Sequence, residues 1–190
     1  MTSLQERIGS ERRRMREVRL KLSAAIDQTA SGNTDWAPFY IAVGDYMELA
    51  MGRMRAQDLK MGERVREKIE TVDDNFTQSV SRLHDRLSGL EKRLNRMLAA
   101  RESLRSDAAA ALNEFEDAAR DLTGYILSNL GKGGLGHQEG GLNGLAAKLF
   151  GPEDWEYMAG ITDEDMAREV ALFEKVNATA PPDLELPAAE

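Results

Sequence analysis

The chain has 190 residues, of which 42% are hydrophobic and 31% are charged, and this is enough for one domain with a packed core. It contains no cysteine, which excludes disulfide bonds, thiolate nucleophiles and cysteine-ligated zinc or iron–sulfur centres. Residues 1–150 carry 23 basic and 22 acidic side chains and residues 151–190 carry 2 and 11, so the net charge of −8 lies at the C-terminal end and disfavours nucleic-acid binding.

The first predicted helix covers residues 3–30. Its N-terminal part is charged where a secretory signal needs an apolar core, and no apolar run in the chain approaches the ~20 residues of a membrane span. We therefore expect a cytoplasmic protein with no membrane span. A basic cluster on this helix comprises Arg12, Arg13, Arg14, Arg16, Arg19 and Lys21. Because the cluster covers several sides of the helix, it is typical of a solvated face; the alternative is a docking surface for the acidic C-terminal segment.

The second predicted helix covers residues 36–69, with Thr34 or Asp35 as its N-cap. The third carries a coiled-coil-like seam with alternating steps of four and three, formed by Phe76, Val80, Leu83, Leu87, Leu90, Leu94 and Met97. We expect the third helix either to continue into the fourth or to break near Ser106 and Asp107. The fourth helix ends at Gly131 and has an apolar face of Leu112, Phe115, Ala119, Leu122 and Ile126.

Short connections between these helices predict an all-α fold in which residues 1–130 form an antiparallel up-down-up-down four-helix bundle. Residues 131–144 contain seven glycines and are interpreted as a connector, since a phosphate-binding loop would need its lysine after the last glycine. Residues 145–177 are predicted to be a C-terminal helical extension, and residues 178–190 a disordered acidic tail.

The last helix of this extension begins with the sequence TDEDMAREVALF. Thr162 is its expected N-cap, and Asp165 occupies the position of a capping box. A shorter helix is expected to precede it over residues 142–150. In the last helix, the acidic residues of the first turn lie at the positive end of the helix dipole, which favours them there.

Asp58 lies within the apolar face of the second helix, among four methionines that we interpret as core filling or, alternatively, as a ligand-accepting groove: Met47, Met51, Met54 and Met61. A buried carboxylate has to be paired, hydrogen-bonded, protonated or bound to metal. We interpret Asp58 as part of a structural polar core with Arg55 and Tyr46, or with an arginine of a facing helix. A binding site is the alternative.

Histidine is scarce, since only His84 and His137 are present. A carboxylate-bridged dimetal bundle needs two Glu-x-x-His motifs, but Ser81 and Gly134 occupy the positions three before these histidines. Neither histidine lies in a context that would place it beside a nucleophile. The sequence therefore predicts no catalytic residues and no enzyme.

Three stretches resemble hemerythrin-like (HHE cation-binding) domains: SERRRMREVRLKLSAAIDQT, DYMELAMGRMRAQDLKM and LTGYILSNLGKGGLGHQEGGL. The resemblance implies a four-helix bundle in which histidines and carboxylates hold two irons for oxygen binding or redox sensing. It would leave Glu11 and Asp58 as remnants of the ligand set, with His84 on the third-helix ligand face. Arg12 stands where the first ligand histidine is expected, and a cation there opposes metal binding. The resemblance thus implies a retained fold and a lost di-iron centre.

We therefore predict a non-catalytic interaction or sensory module without a cofactor. It would bind a protein partner or associate with itself through its helix faces, as in a homodimer. The alternative is a metal- or small-ligand-binding bundle, with iron held at a reduced site by Glu11, Asp58 and His84. A third option is a surfactant-like coat protein whose helices open to expose their apolar faces.

Overall fold

The structure is a computed structural model that describes residues 4–28, 33–69, 73–130 and 142–186. A 3-10 turn covers Thr34–Trp36, and the α-helices are α1 (Leu4–Gln28), α2 (Ala37–Lys68), α3 (Asp74–Ser106), α4 (Ala108–Leu130), α5 (Leu142–Leu149), α6 (Pro152–Ala159) and α7 (Asp163–Thr179). These ranges contain no β-strand, so the prediction of an all-α fold is confirmed. No helix in them is long and apolar enough to cross a membrane.

The helix starts follow local capping chemistry. Asp73 accepts a hydrogen bond of 2.7 Å from the backbone N–H of Phe76 and caps α3. The N-cap predicted for α2 is wrong, because the 3-10 turn precedes this helix and moves the capping side chain to Asn33. That side chain accepts a 3.0 Å hydrogen bond from the backbone N–H of Asp35.

The break between α3 and α4 is a single residue. Asp107 adopts an extended conformation with φ −150° and ψ 93°, which ends one helix and allows the next to start at Ala108. Its carboxylate accepts a 3.1 Å hydrogen bond from the backbone N–H of Ala110. Of the two alternatives, the break near Ser106 and Asp107 is the one observed.

Helix α2 is central and contacts every other α-helix. In addition, α1 packs against α4, α6 and α7, and α3 packs against α4 and α5. The main core includes the methionines at 47, 51 and 54 together with Leu90, Leu94, Met97 and the apolar face of α4. A second cluster lies under α5 and α6 and contains Met61, Val65, Phe76, Leu83, Leu87, Leu142, Ala146 and Met158. The methionines therefore fill cores, and the α3 seam is buried except at Val80, which is partly buried.

The C-terminal region differs from the prediction in two places. Helix α5 begins at Leu142, which agrees with the short helix expected over residues 142–150 but makes the last residues of the predicted connector 131–144 helical. The rest of that segment, including His137, lies outside the described residues. Residues 178–186 of the predicted disordered tail are placed, because Leu184 packs on the main core and Gln28 Nε2 donates a 2.7 Å hydrogen bond to the carbonyl of Glu185. The Pro- and Ala-rich composition of the tail did not indicate the contacts of Leu184 and Glu185.

Candidate functional site between α2 and α7

One buried carboxylate fastens α7 to the rest of the molecule. Glu169 has only 1% of its surface exposed. Arg14 Nε on α1 donates to both of its carboxylate oxygens, at 2.9 and 2.8 Å, and a second guanidinium nitrogen forms an ion pair with it. The Tyr46 hydroxyl on α2 donates a 2.6 Å hydrogen bond to the same group. Three helices therefore meet at a charge that would be costly to bury without these donors.

The contacts of Glu169 with Arg14 and Tyr46 form what we call the polar clasp, and a second polar pair lies beside it. Glu11 Oε1 lies 3.3 Å from a terminal nitrogen of Arg53, yet this oxygen is buried and accepts no hydrogen bond from the described residues. Burial raises the pKa of Glu11, the positive charge of Arg53 opposes the rise, and the charge of Glu169 adds to it. Arg53 also donates a 3.0 Å hydrogen bond to the backbone carbonyl of Asp165, at the start of α7. Arg53 thus joins α1, α2 and α7.

A groove of about 620 Å³ runs between α2 and α7 and is lined by Asp45, Glu48, Leu49, Gly52, Arg53, Arg168 and Leu172. The α2 members recur at helical spacing on one face, and the two α7 members are four residues apart. Gly52 leaves the groove open, because a Cβ added there would meet no atom within 4 Å. A volume of roughly 300–1,000 Å³ is typical of sites that hold small molecules.

The two ends of the groove differ in charge. At one end, Arg101 contacts Asp45 at 3.0 Å and Glu48 at 2.7 Å. Arg105 also pairs with Asp45, and Lys175 Nζ lies 3.4 Å from it. At the other end, exposed Arg168 forms no ion pair with a described residue. The acidic end is therefore neutralised by cations, whereas at the Arg53–Arg168 end one guanidinium, that of Arg168, stays exposed without an ion-pair partner among the described residues.

The residues predicted to form a polar core do not meet. Arg55 forms a 2.8 Å ion pair with Glu91, and Tyr46 bonds to Glu169, so the prediction that both contact Asp58 is corrected. They were chosen because they are close in sequence, but their side chains reach toward other helices.

Asp58 is 5% exposed, as its place in the apolar face implies. Its Oδ2 accepts no hydrogen bond from the described residues. Burial raises the pKa of Asp58 to about 6, against the lowering effect of Arg86 on α3 and Arg12 on α1. The arginines of facing helices, which were the alternative partners, therefore act on Asp58 through charge.

The positions implied by the hemerythrin-like resemblance are not gathered into a metal site. His84 is exposed on α3, whereas Glu11 faces Arg53 and Asp58 lies under the influence of two arginines. In the described part of the chain, no group of three or more histidine, aspartate or glutamate side chains could hold a metal ion.

The position of Glu169 in the sequence indicates a buried carboxylate, although we did not predict a role for it. Glu169 follows Met166 by three residues and precedes Phe173 by four, so it lies within an apolar helical stripe, as Asp58 does in α2. The partner of Glu169 belongs to the basic cluster on α1. Arg14 of this cluster contacts the acidic C-terminal region, whereas Arg12, Arg13 and Arg16 are exposed.

Arg53 gave no signal of this kind, since it reads from the sequence as an ordinary surface cation.

The resemblance to hemerythrin-like domains rests on the layout of the helices and on isolated acidic positions. We found no family model, curated protein or solved structure that matches the chain.

Proposed function

We propose that this chain is a non-catalytic binding module, built on an up-down-up-down four-helix bundle, that takes its ligand in the α2–α7 groove. The observation that carries the proposal is the groove itself, with its volume of about 620 Å³ and its open floor at Gly52. A ligand there would contact α2, the central helix, and α7, which is fastened by a polar clasp. Ligand binding would thus strengthen the docking of α7, which is a sensory response.

Cross-helix contacts support the bundle arrangement. The pair Arg55–Glu91 lies farther along α2 than Asp45–Arg101 but earlier along α3, so these helices run in opposite directions. Helices α3 and α4 are also antiparallel, because Arg93 contacts Asp121 while the Tyr125 hydroxyl donates to the carbonyl of Arg86. The contact of α1 with both α2 and α4 would close the bundle.

The chemistry of the groove supports binding without catalysis. The lining residues include no serine, threonine, cysteine, histidine or tyrosine, and so they offer neither a nucleophile nor a histidine proton carrier. Its two carboxylates, on Asp45 and Glu48, are each held by Arg101. A carboxylate that is paired with a guanidinium in this way is held in the ionised form and has little freedom to take up and release a proton during a reaction.

The proposal is tested by blocking the groove from Gly52. A library of small anionic, cationic and neutral fragments would be added to isotope-labelled protein, and the backbone amide shifts would be mapped by NMR. We expect shifts concentrated at residues 45–53 and 168–172, and we expect Gly52→Leu to abolish them because the new side chain fills the groove.

Gly124→Leu is the matched control. Gly124 is exposed on α4, and a Cβ there likewise meets no atom within 4 Å. Both variants replace a helical glycine, so both gain helix propensity of up to about 1 kcal/mol. Only Gly52→Leu should block binding. Fragment shifts that avoid the groove, or that survive in Gly52→Leu, would overturn the proposed function.

A further inference from the structure

The groove has a fixed polarity because α2 and α7 run antiparallel. Arg53 bonds to the carbonyl of Asp165 at one end, and Lys175 approaches Asp45 at the other. Residues 45–53 of α2 rise by about 12 Å between these ends. The lining between the ends is formed by the half-buried Leu49 and Leu172 and by the open space at Gly52. The groove therefore runs from a neutralised end, across an apolar middle, to a cationic end.

The cationic end is only weakly compensated. Arg53 pairs with the carboxylate of Glu11 at 3.3 Å, and the geometry of this pair does not make a hydrogen bond. The Asp165 carboxylate lies within electrostatic range of both Arg53 and Arg168, but it accepts its hydrogen bonds from the backbone N–H and the hydroxyl of Thr162, at 3.0 and 2.8 Å. Arg168 is therefore free to pair with a group from outside the chain.

We infer that the groove binds a small amphiphilic anion, with its carboxylate or phosphate between Arg53 and Arg168 and its alkyl or aromatic part along Leu49 and Leu172. This inference rests on the proposed function and gives the chemical class of the ligand. Guanidinium groups suit either anion, since their N–H donors form a planar fork that matches both. The apolar middle rejects ligands that are charged throughout, because a charge placed there would lose its hydration.

The competing occupants are an amphiphilic cation and a neutral amphiphile. A cation would be drawn to Asp45 and Glu48, but Arg101 already contacts both carboxylates, and Asp45 is also held by Arg105 and Lys175. A neutral amphiphile would leave Arg168 without a partner. Of the three classes of ligand, only an anion would pair with the exposed guanidinium of Arg168.

The experiment compares four probes with the same alkyl chain: octanoate, octyl phosphate, octylamine and octanol. Each is titrated into the full chain below its aggregation concentration, and the amide shifts of Gly52, Arg168 and Leu172 report on binding. We expect both anions to bind at these residues and octylamine not to bind there. The relative affinities of octanoate and octyl phosphate distinguish a carboxylate ligand from a phosphate ligand. Added salt should weaken the binding of both anions.

Arg168→Glu is the diagnostic variant, since an exposed residue can be changed without disturbing the fold. We expect it to weaken anion binding by about 10-fold to 100-fold, as for a hydrogen bond to a charged group. Arg16→Glu is the control, because Arg16 is exposed on α1 and the change in charge is the same. It should alter anion binding by less than about 2-fold, since an exposed charge that does not line the groove is screened by salt.

The outcomes separate the two proposals. Equal binding of octylamine or octanol in the groove, or unchanged anion binding in Arg168→Glu, would overturn the anion assignment and leave the groove as a binding site. If none of the four probes shifts the groove amides, the anion assignment also fails, and the fragment screen with Gly52→Leu then decides the proposed function by itself.

Discussion

The hydroxyl of Tyr46 donates a 2.6 Å hydrogen bond to Glu169, a carboxylate that is also held by Arg14. This relationship explains how a helix with few buried side chains, Glu169 and Val176 among its described residues, is fixed to the core. The clasp is directional, because it requires three particular side chains from three helices. Loss of Glu169 leaves both Arg14 and Tyr46 without their acceptor, whereas loss of either donor leaves Glu169 with one partner fewer.

We therefore predict that Glu169→Ala lowers the free energy of unfolding by about 2–4 kcal/mol, because it removes the acceptor of the half-buried Arg14 guanidinium and of the buried Tyr46 hydroxyl. Tyr46→Phe should cost about 1.5–3 kcal/mol, since it removes one hydrogen bond to a charged group. Urea denaturation measures both. Glu174→Ala, at an exposed position of the same helix, is the control and should change stability by less than about 0.5 kcal/mol. A Glu169→Ala cost no larger than that of the control would contradict the clasp.

Asp58 makes stability depend on pH. Its folded pKa of about 6 lies above the ordinary value of 3.8, so the folded state binds more protons between these values than the unfolded state does. The stability present below pH 4 is thus lost as the pH rises toward 6, by about 3 kcal/mol in total. Asp58→Asn removes this ionisation and should stabilise the protein at pH 8 much more than at pH 4.

Urea denaturation at several pH values checks this expectation. The matched control is Asp85→Asn on α3, where the carboxyl is exposed and the same change should alter stability little at any pH. An equal effect of Asp58→Asn at pH 4 and pH 8 would show that Asp58 does not ionise at a raised pKa in the folded protein.

Gly89 allows α3 and α4 to approach closely. A Cβ at this position would lie 2.2 Å from the Tyr125 hydroxyl oxygen and 2.7 Å from Cζ of the same ring. Arg93 lies 4.1 Å from the ring centroid and the hydroxyl bonds to the carbonyl of Arg86, so the ring has little room to move. We predict that Gly89→Ala destabilises the protein by about 1–3 kcal/mol.

Gly52→Ala makes the same chemical change where nothing lies within 4 Å, and it should stabilise the protein by up to about 1 kcal/mol. Thermal unfolding of the two variants gives the comparison. Combining Gly89→Ala with Tyr125→Ala should cost less than the two single changes added together, because the clash disappears. Strict additivity would assign the cost to another cause.

Iron provides a test of the resemblance. Since Glu11, Asp58 and His84 are not gathered into a ligand set in the described residues, we predict that ferrous ion leaves Tm unchanged, because a ligand stabilises only the state that binds it. Differential scanning calorimetry with and without added iron measures this, and EDTA-treated protein is the reference. An iron-dependent rise in Tm that is lost in His84→Ala would restore the metal-binding alternative.

The elements that could be predicted from the sequence are those determined by residues close in the chain. The heptad steps from Phe76 to Met97 identified α3, and the capping box of Thr162 and Asp165 located the start of α7. The break at Asp107 follows from the same kind of local chemistry.

The site depends on pairings that no local pattern encodes. Arg14 and Glu169 are 155 positions apart, and only the packing of α7 against α1 and α2 brings them together. The groove likewise exists because two faces, each of which reads as an ordinary amphipathic surface, lie side by side. For Asp58, the sequence showed that it is buried, but it could not show which arginines surround it.

The single-residue connection at Asp107 also bears on the order of folding. Helices α3 and α4 can associate at almost no loop-closure cost, so we expect this hairpin to form early and to act as a nucleus. The contact between residues 14 and 169 closes a segment of 155 positions, so the docking of α7 should form last. In pulse-labelling hydrogen exchange, the amides of α3 and α4 should gain protection first and those of α7 at the end.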